Sequence, residues 1–129
     1  MKELDEIDNE ICRILISLLL RIVPEYNIFY KQERLENDLP ENGIYLFMNS
    51  FATHLSEEFM KTPNSDLVKN SFKYINNIGE SYNLEVLNIL RVGILEILYT
   101  TKGLNRSEVS NMLSEKIQNY FNDFSRFYR

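Results

Sequence analysis

The stretch LEVLNILRVGILEILYTT, residues 84–101, decides the fold that the sequence predicts. Its apolar side chains occupy almost every direction around a helical turn, and a helix without a polar face is typical of a buried, central element. Its β-branched residues would also suit a strand, but its length and the Lys102 and Gly103 that follow it favour a helix. Gly93, in the middle, is expected to let a neighbouring helix cross closely.

Further amphipathic helices are predicted on both sides, because apolar residues repeat there at intervals of three and four. Pro24 is expected to end or kink the first helix, and Ser65 and Asn83 are good N-caps for later ones. Gly79 fits a C-terminal cap position, and the polar stretch 36–43 predicts a loop. The predicted helices cover residues 3–23, 25–35, 44–60, 66–78, 84–101 and 107–128.

Together these elements predict one all-α domain spanning residues 1–129. The hydrophobic fraction of 44% is too high for a disordered chain. About six helices joined by short links are expected to form antiparallel hairpins around a buried fifth helix. The result would be an irregular bundle or a short stack that resembles helical repeats, although no repeat of fixed period indicates a true solenoid.

Residues for nucleophilic or metal catalysis are scarce in the sequence. Cys12 is the single cysteine and His54 the single histidine, so neither a disulfide nor a typical zinc or di-iron site can be built. Cys12 is interpreted as a small core residue. His54 is followed by Glu57 and Glu58, which would repel a phosphoryl group, so a surface position is favoured over phosphotransfer. We expect no catalytic residues, no metal and no cofactor.

The remaining candidate for acid–base chemistry is a pair of carboxylates, Glu85 and Glu96. They lie eleven residues apart, a spacing that returns to nearly the same side of an α-helix. The functional interpretation is an acidic site that could use a metal. The favoured alternative is that each carboxylate is satisfied by Arg91, Lys73 or a group on another helix.

The charge of the chain is unevenly distributed. Residues 1–60 hold 12 acids and 5 bases, a net charge of −7, whereas residues 61–129 hold 7 acids and 9 bases, a net charge of +2. An acidic surface repels nucleic-acid phosphates and anionic lipids and attracts basic proteins. We therefore expect neither nucleic acid nor a membrane as partner, although solubility alone would explain the charge equally well.

The expected compartment is the cytoplasm. No run reaches the roughly 20 apolar residues of a membrane span, because Arg13 and Arg21 interrupt the apolar stretch 11–23. The first ten residues carry five acids and one base, unlike the positive start of a secretory signal. A single cysteine also suits a reducing compartment.

The segment 26–41 is the predicted surface for a partner. It combines aromatic side chains with several acids, and interfaces use such aromatic anchors within a charged rim. The alternative, given equal weight, is that the aromatics belong to the core and the acids solvate a loop. The predicted contact residues are Tyr26, Tyr30, Glu33, Glu36, Asp38 and Glu41.

Two sequence segments resemble a known family: Val23-Pro24-Glu25-Tyr26, and the run LNILRVGILEIL at residues 87–98. They are similar to segments of small all-helical bacterial proteins, many of them encoded beside polymorphic toxins and taken to be immunity proteins. The order of helices and the aromatic last helix are also similar. The resemblance implies a cytoplasmic immunity protein of a contact-dependent growth inhibition system, and it carries over no functional residues.

Two functions follow as expectations from these observations. The first is an immunity protein that neutralises a cognate toxin domain by direct 1:1 contact, where a nuclease toxin would be basic around its substrate groove. The second is a helical adaptor or regulatory protein that forms a homodimer through exposed aromatic residues near Phe124–Tyr128, chiefly Phe127 and Tyr128.

Overall fold

A computed structural model describes residues 2–27 and 43–128 of the chain. Within these ranges the regular structure is entirely helical, as predicted, and consists of six helices and two short 3-10 turns. The helices are α1 (Lys2–Ile22), α2 (Gly43–Lys61), α3 (Asp66–Ile78), α4 (residues 84–100), α5 (Arg106–Asn111) and α6 (Glu115–Asp123); the 3-10 turns are Pro24–Tyr26 and Phe124–Arg126. No helix in the described ranges has the length and apolarity that crossing a bilayer requires.

Helix α4 is continuous but changes its winding in the middle. Its ends, Leu84–Asn88 and Glu96–Thr100, are α-helical, and the central Ile89–Leu95 is a π-helix. Helix α2 makes its most extensive contact with this π segment. A Cβ placed on Gly93 would lie 3.0 Å from Met48 Cβ, which confirms the predicted close crossing.

The core is formed where α2 and α4 meet, with the other helices packed around them. Helices α1 and α3 pack against each other, α3 also contacts α2, and α6 contacts the π segment of α4. Helix α4 contributes Ile89, Leu90, Ile94, Leu95 and Leu98, each at most 1% exposed. Its burial is one-sided, however, because Leu84 remains 82% and Val92 44% exposed. The central helix therefore also presents a surface.

Two predicted N-caps are confirmed by their hydrogen bonds. The Ser65 hydroxyl accepts from the Val68 amide at 3.2 Å and so begins α3. The Asn83 side chain accepts from the Glu85 and Val86 amides at 2.9 and 3.1 Å and begins α4. Both side chains satisfy donors that would otherwise lack a partner in the first helical turn.

Gly79 does lie at the C-terminal cap of α3, but its backbone is right-handed, with φ of −66°. Conformational freedom is therefore not what the position requires. A Cβ at Gly79 would overlap Cδ1 of Ile117, so the absence of a side chain lets α6 pack closely against the end of α3.

The predicted last helix, residues 107–128, is divided into α5 and α6. The break lies at Met112–Ser114, where the Asn76 side chain donates to the Met112 carbonyl at 3.1 Å and accepts from the Ser114 amide at 2.9 Å. A side chain of α3 thus takes over backbone groups that a continuous helix would have paired internally. Of the predicted helix 25–35, the structure describes only the turn Pro24–Tyr26 and Asn27.

Tyr74 connects α3 to α1 and provides a test of the packing. Its side chain is fully buried, and its hydroxyl donates to the Leu15 carbonyl at 2.9 Å. Burial raises the pKa of Tyr74 above its ordinary value, because a buried phenolate would lose its hydration. At neutral pH, Tyr74→Phe should lower the free energy of unfolding by about 1 kcal/mol.

The same variant should change the response to alkali. A tyrosine whose pKa is raised by folding stabilises the native state below its unfolded pKa of about 10, and this contribution is lost as pH rises. The wild type should therefore lose stability above about pH 10, and Tyr74→Phe should lose less over the same interval. Denaturant titrations at neutral and alkaline pH measure both effects, and parallel losses in the two proteins would contradict the assignment.

Candidate functional site

The exposed side of α4 forms one wall of a surface groove, and α6 with the C-terminal residues forms the other. The groove consists of two open clefts of about 400 and 360 Å³ that meet at Asn88 and Arg91. The first cleft is also lined by Leu84, Glu85, Leu87 and Tyr120, and the second by Val92, Glu96, Phe124, Phe127 and Tyr128. We call this surface the α4–α6 groove.

At one end of the groove, Glu85 is held by a tyrosine of α2. The Tyr45 hydroxyl donates to Glu85 Oε1 at 3.2 Å and accepts from Asn88 Nδ2 at 3.0 Å. Partial burial, and then the negative charge of Glu85, raise the pKa of Tyr45 above its ordinary value. Tyr45 is therefore a neutral donor near pH 7, and it fixes both Glu85 and Asn88.

At the other end, Glu96 is held by a different tyrosine. The Tyr128 hydroxyl donates to Glu96 Oε1 at 3.2 Å. Partial loss of hydration, and then the charge of Glu96, raise the pKa of Tyr128 above its ordinary value. The rings of Tyr99 and Phe124 position Tyr128, with ring centroids 6.2 and 6.4 Å from its own.

These contacts bear on the predicted carboxylate pair. Glu85 and Glu96 both border the groove, but they lie at opposite ends, roughly 15 Å apart along the helix axis. Each carboxylate accepts one hydrogen bond from a tyrosine outside α4, which agrees with the favoured alternative that groups elsewhere in the fold would pair with them. Among the side chains that the structure describes, those of residues 10–27 and 43–128, no three metal-ligating groups lie close enough together to hold an ion.

Arg91 lies at the centre, where the two clefts meet. Its guanidinium carbon lies 5.4 Å from the centroid of the Tyr120 ring, a cation–π arrangement. Within the part of the chain that the structure describes, its guanidinium forms no ion pair and no hydrogen bond. A guanidinium carries five N–H donors, so this side chain can bind an acceptor supplied from outside.

Large apolar side chains stand open to solvent beside Arg91. Val92 is 44%, Phe127 72% and Tyr128 38% exposed, and Leu84 continues the apolar surface into the first cleft. The sequence had indicated part of this surface, because the homodimer alternative used exposed aromatic residues near Phe124–Tyr128, but it did not place them beside Arg91 and Val92 of the central helix. The signal for it was the aromatic content of the last residues, 120–128.

The structure places Tyr26, the first of the predicted contact residues, in the core. Its side chain is 1% exposed, and its ring meets Phe47, Phe51 and His54 edge-on at 6.0, 5.4 and 6.0 Å. This corrects the predicted contact role of Tyr26, because a side chain so buried is not available to a partner in this conformation. The other predicted contact residues, Tyr30, Glu33, Glu36, Asp38 and Glu41, lie outside the described residues.

The two potentially reactive side chains lie apart from the groove. Cys12 is half-buried on α1, and His54 is half-buried on α2 against the Tyr26 ring. Neither residue lines the α4–α6 groove. The groove therefore offers tyrosine hydroxyls, a guanidinium and apolar surface, which are groups for binding.

The chain is a small all-helical domain with an open groove along the exposed side of its central helix. A family model described as "Domain of unknown function (DUF7674)" matches residues 16–129, and the chain belongs to this family. The matched region includes every residue that lines the groove. No curated protein and no solved structure matches the chain.

Proposed function

We propose that this domain acts by binding another protein through the α4–α6 groove, and that the partner is a toxin domain which it neutralises. The observation that carries the binding proposal is the exposure of Val92, Phe127 and Tyr128 around the Arg91 guanidinium, which forms no ion pair with any residue that the structure describes. Aromatic and arginine side chains are enriched at the centres of protein interfaces, where they contribute most of the affinity.

The choice of a toxin as partner is supported by the sequence. The chain carries a net charge of −5, and its acids are concentrated in the first half, which would attract a basic protein. A nuclease toxin is basic where it binds phosphates, and the two segments at residues 23–26 and 87–98 resemble immunity proteins. The proposed complex is 1:1, forms in the cytoplasm and buries about 1,600 Å² in total.

The acidic residues of the predicted contact segment and the α4–α6 groove would contribute differently to such a complex. The acidic residues Glu33, Glu36, Asp38 and Glu41 would increase the rate of encounter with a basic partner, because long-range charge acts mainly on association. The α4–α6 groove would provide the apolar contact that slows dissociation. Substitutions of the acids should therefore change mainly the association rate, and substitutions in the groove should change mainly the dissociation rate.

A growth assay tests the proposal. Toxin domains encoded beside this gene are expressed in bacteria with and without the protein, followed by affinity purification of the complex. We expect the protein to restore growth and to co-purify with one of these domains in a 1:1 ratio. Toxicity that persists in the presence of well-expressed protein would contradict a neutralising function.

The second candidate, a homodimeric adaptor, is favoured by the same exposed residues, Phe127 and Tyr128. Two copies could cover these aromatic side chains against each other. Light scattering distinguishes the candidates, since a dimer mass for the isolated protein supports the adaptor. A monomer that binds a toxin domain supports the immunity protein.

A further inference from the structure

We propose that the α4–α6 groove recognises a partner segment with a carboxylate at its centre, apolar residues on both sides of it and basic residues further out. This inference rests on the proposed protein-binding function and specifies the chemistry of the segment that is bound. Arg91 is the specificity-determining residue, because it lies where the two clefts meet.

The acid at the centre follows from the positive charge of Arg91. Tyr45 and Tyr128 each donate one hydrogen bond to Glu85 and Glu96, whereas within the described residues the Arg91 guanidinium contacts the face of the Tyr120 ring and forms no ion pair or hydrogen bond. The ring leaves the edge of the guanidinium available, and a carboxylate can bind that edge with two parallel hydrogen bonds.

The apolar residues on both sides follow from the cleft walls. Leu84 and Leu87 line the first cleft, and Val92, Phe124 and Phe127 line the second. A bound apolar side chain in each cleft would exclude water from the central ion pair. The Coulomb attraction between the two charges is stronger when water is excluded than in open solvent.

The outer basic residues follow from the charges at the two ends. Each tyrosine hydrogen bond is made to Oε1 of its glutamate, so the carboxylates of Glu85 and Glu96 can still accept from a lysine or arginine of the partner. An acid placed at either end would be repelled. The groove carries the negative Glu85, the positive Arg91 and the negative Glu96 in this order. It should therefore select a ligand with a central negative charge between two positive charges.

A peptide-display selection tests this inference even while the partner is unidentified. Random peptides of about 12 residues are selected on the immobilised full-length protein, with Arg91→Glu used for counter-selection. We expect the enriched peptides to carry Asp or Glu between apolar residues. A synthetic peptide with an enriched sequence should bind Arg91→Gln about tenfold more weakly than the wild type.

A charge swap and a matched control make the result specific. Replacing the central acid of the peptide with lysine should abolish binding to the wild type and restore binding to Arg91→Glu. The control is Arg13→Glu, the same change at an exposed arginine on α1 that lines neither cleft and should leave affinity unchanged. No enrichment, enriched peptides without a central acid, or equal affinity for Arg91→Glu would each overturn the inference.

The growth assay separates this inference from the proposed function. If Arg91→Glu rescues growth as well as the wild type does, the neutralising function stands and the role of Arg91 is overturned. If the wild type fails to rescue, the toxin proposal is overturned, while the peptide selection still decides whether the groove binds an acidic segment.

Discussion

Replacing Phe121 with alanine is expected to lower the free energy of unfolding by about 3–5 kcal/mol. Phe121 is fully buried in α6, and its ring meets the Tyr99 ring of α4 edge-on at 5.2 Å between centroids. Truncation removes this contact and leaves a cavity between α6 and the central helix, which the surrounding side chains can fill only in part. Denaturant unfolding at neutral pH measures the loss.

Phe127→Ala is the matched control, because it is the same substitution six residues further on. Phe127 is 72% exposed, so its replacement should change the free energy of unfolding by no more than about 0.5 kcal/mol. Similar losses in the two variants would contradict the exposure of Phe127, and with it one wall of the α4–α6 groove.

This contrast shows why the sequence indicated exposed aromatic residues near the end of the last helix but not which of them are exposed. Helical spacing placed Phe121, Phe124 and Phe127 on one apolar side of a continuous helix. In the structure α6 ends at Asp123, and the 3-10 turn Phe124–Arg126 has a tighter winding, which changes the direction of the following side chains. Where the winding changes depends on packing against other helices, and a periodicity argument does not contain that information.

Helix starts and the central helix were predictable, because their causes are local. The Ser65 and Asn83 caps need only a suitable side chain next to the first turn, and both are confirmed. Gly93 was correctly expected at a close crossing, since a glycine destabilises the middle of a helix unless a neighbour needs the space of its missing side chain. The break at Met112–Ser114 was missed because its cause, Asn76, lies far away in the sequence.

The π segment Ile89–Leu95 was also missed, since its apolar residues fit an α-helix equally well. Such segments are rare and often occur at functional sites, because the wider turn redirects side chains and backbone groups. Here the segment contains Arg91 and Val92, the residues that the groove presents to solvent. The side-chain amide of Asn49 on α2 fits its surroundings better when its nitrogen and oxygen are exchanged, and in that orientation it donates to the Gly93 carbonyl of the π segment at 2.8 Å.

Replacing Phe127 and Tyr128 together with alanine should weaken the complex with the toxin domain about 100-fold or more. Both side chains border the second cleft, and both are large aromatic groups that a partner would bury. Two anchors at the centre of an interface commonly contribute about 2 kcal/mol or more each, roughly 30-fold in affinity. Calorimetric titration of the purified toxin domain measures the change.

Two controls make the outcome decisive. Ile14→Ala and Met60→Ala remove exposed apolar side chains that line neither cleft, so they should leave affinity within about twofold of the wild type. Equal weakening by the controls would mean that the groove is not the contact surface. The isolated protein could instead be a dimer that the Phe127 and Tyr128 replacements convert to a monomer. In that case the aromatic surface joins two copies of the chain, and the groove supports the adaptor function in place of the immunity function.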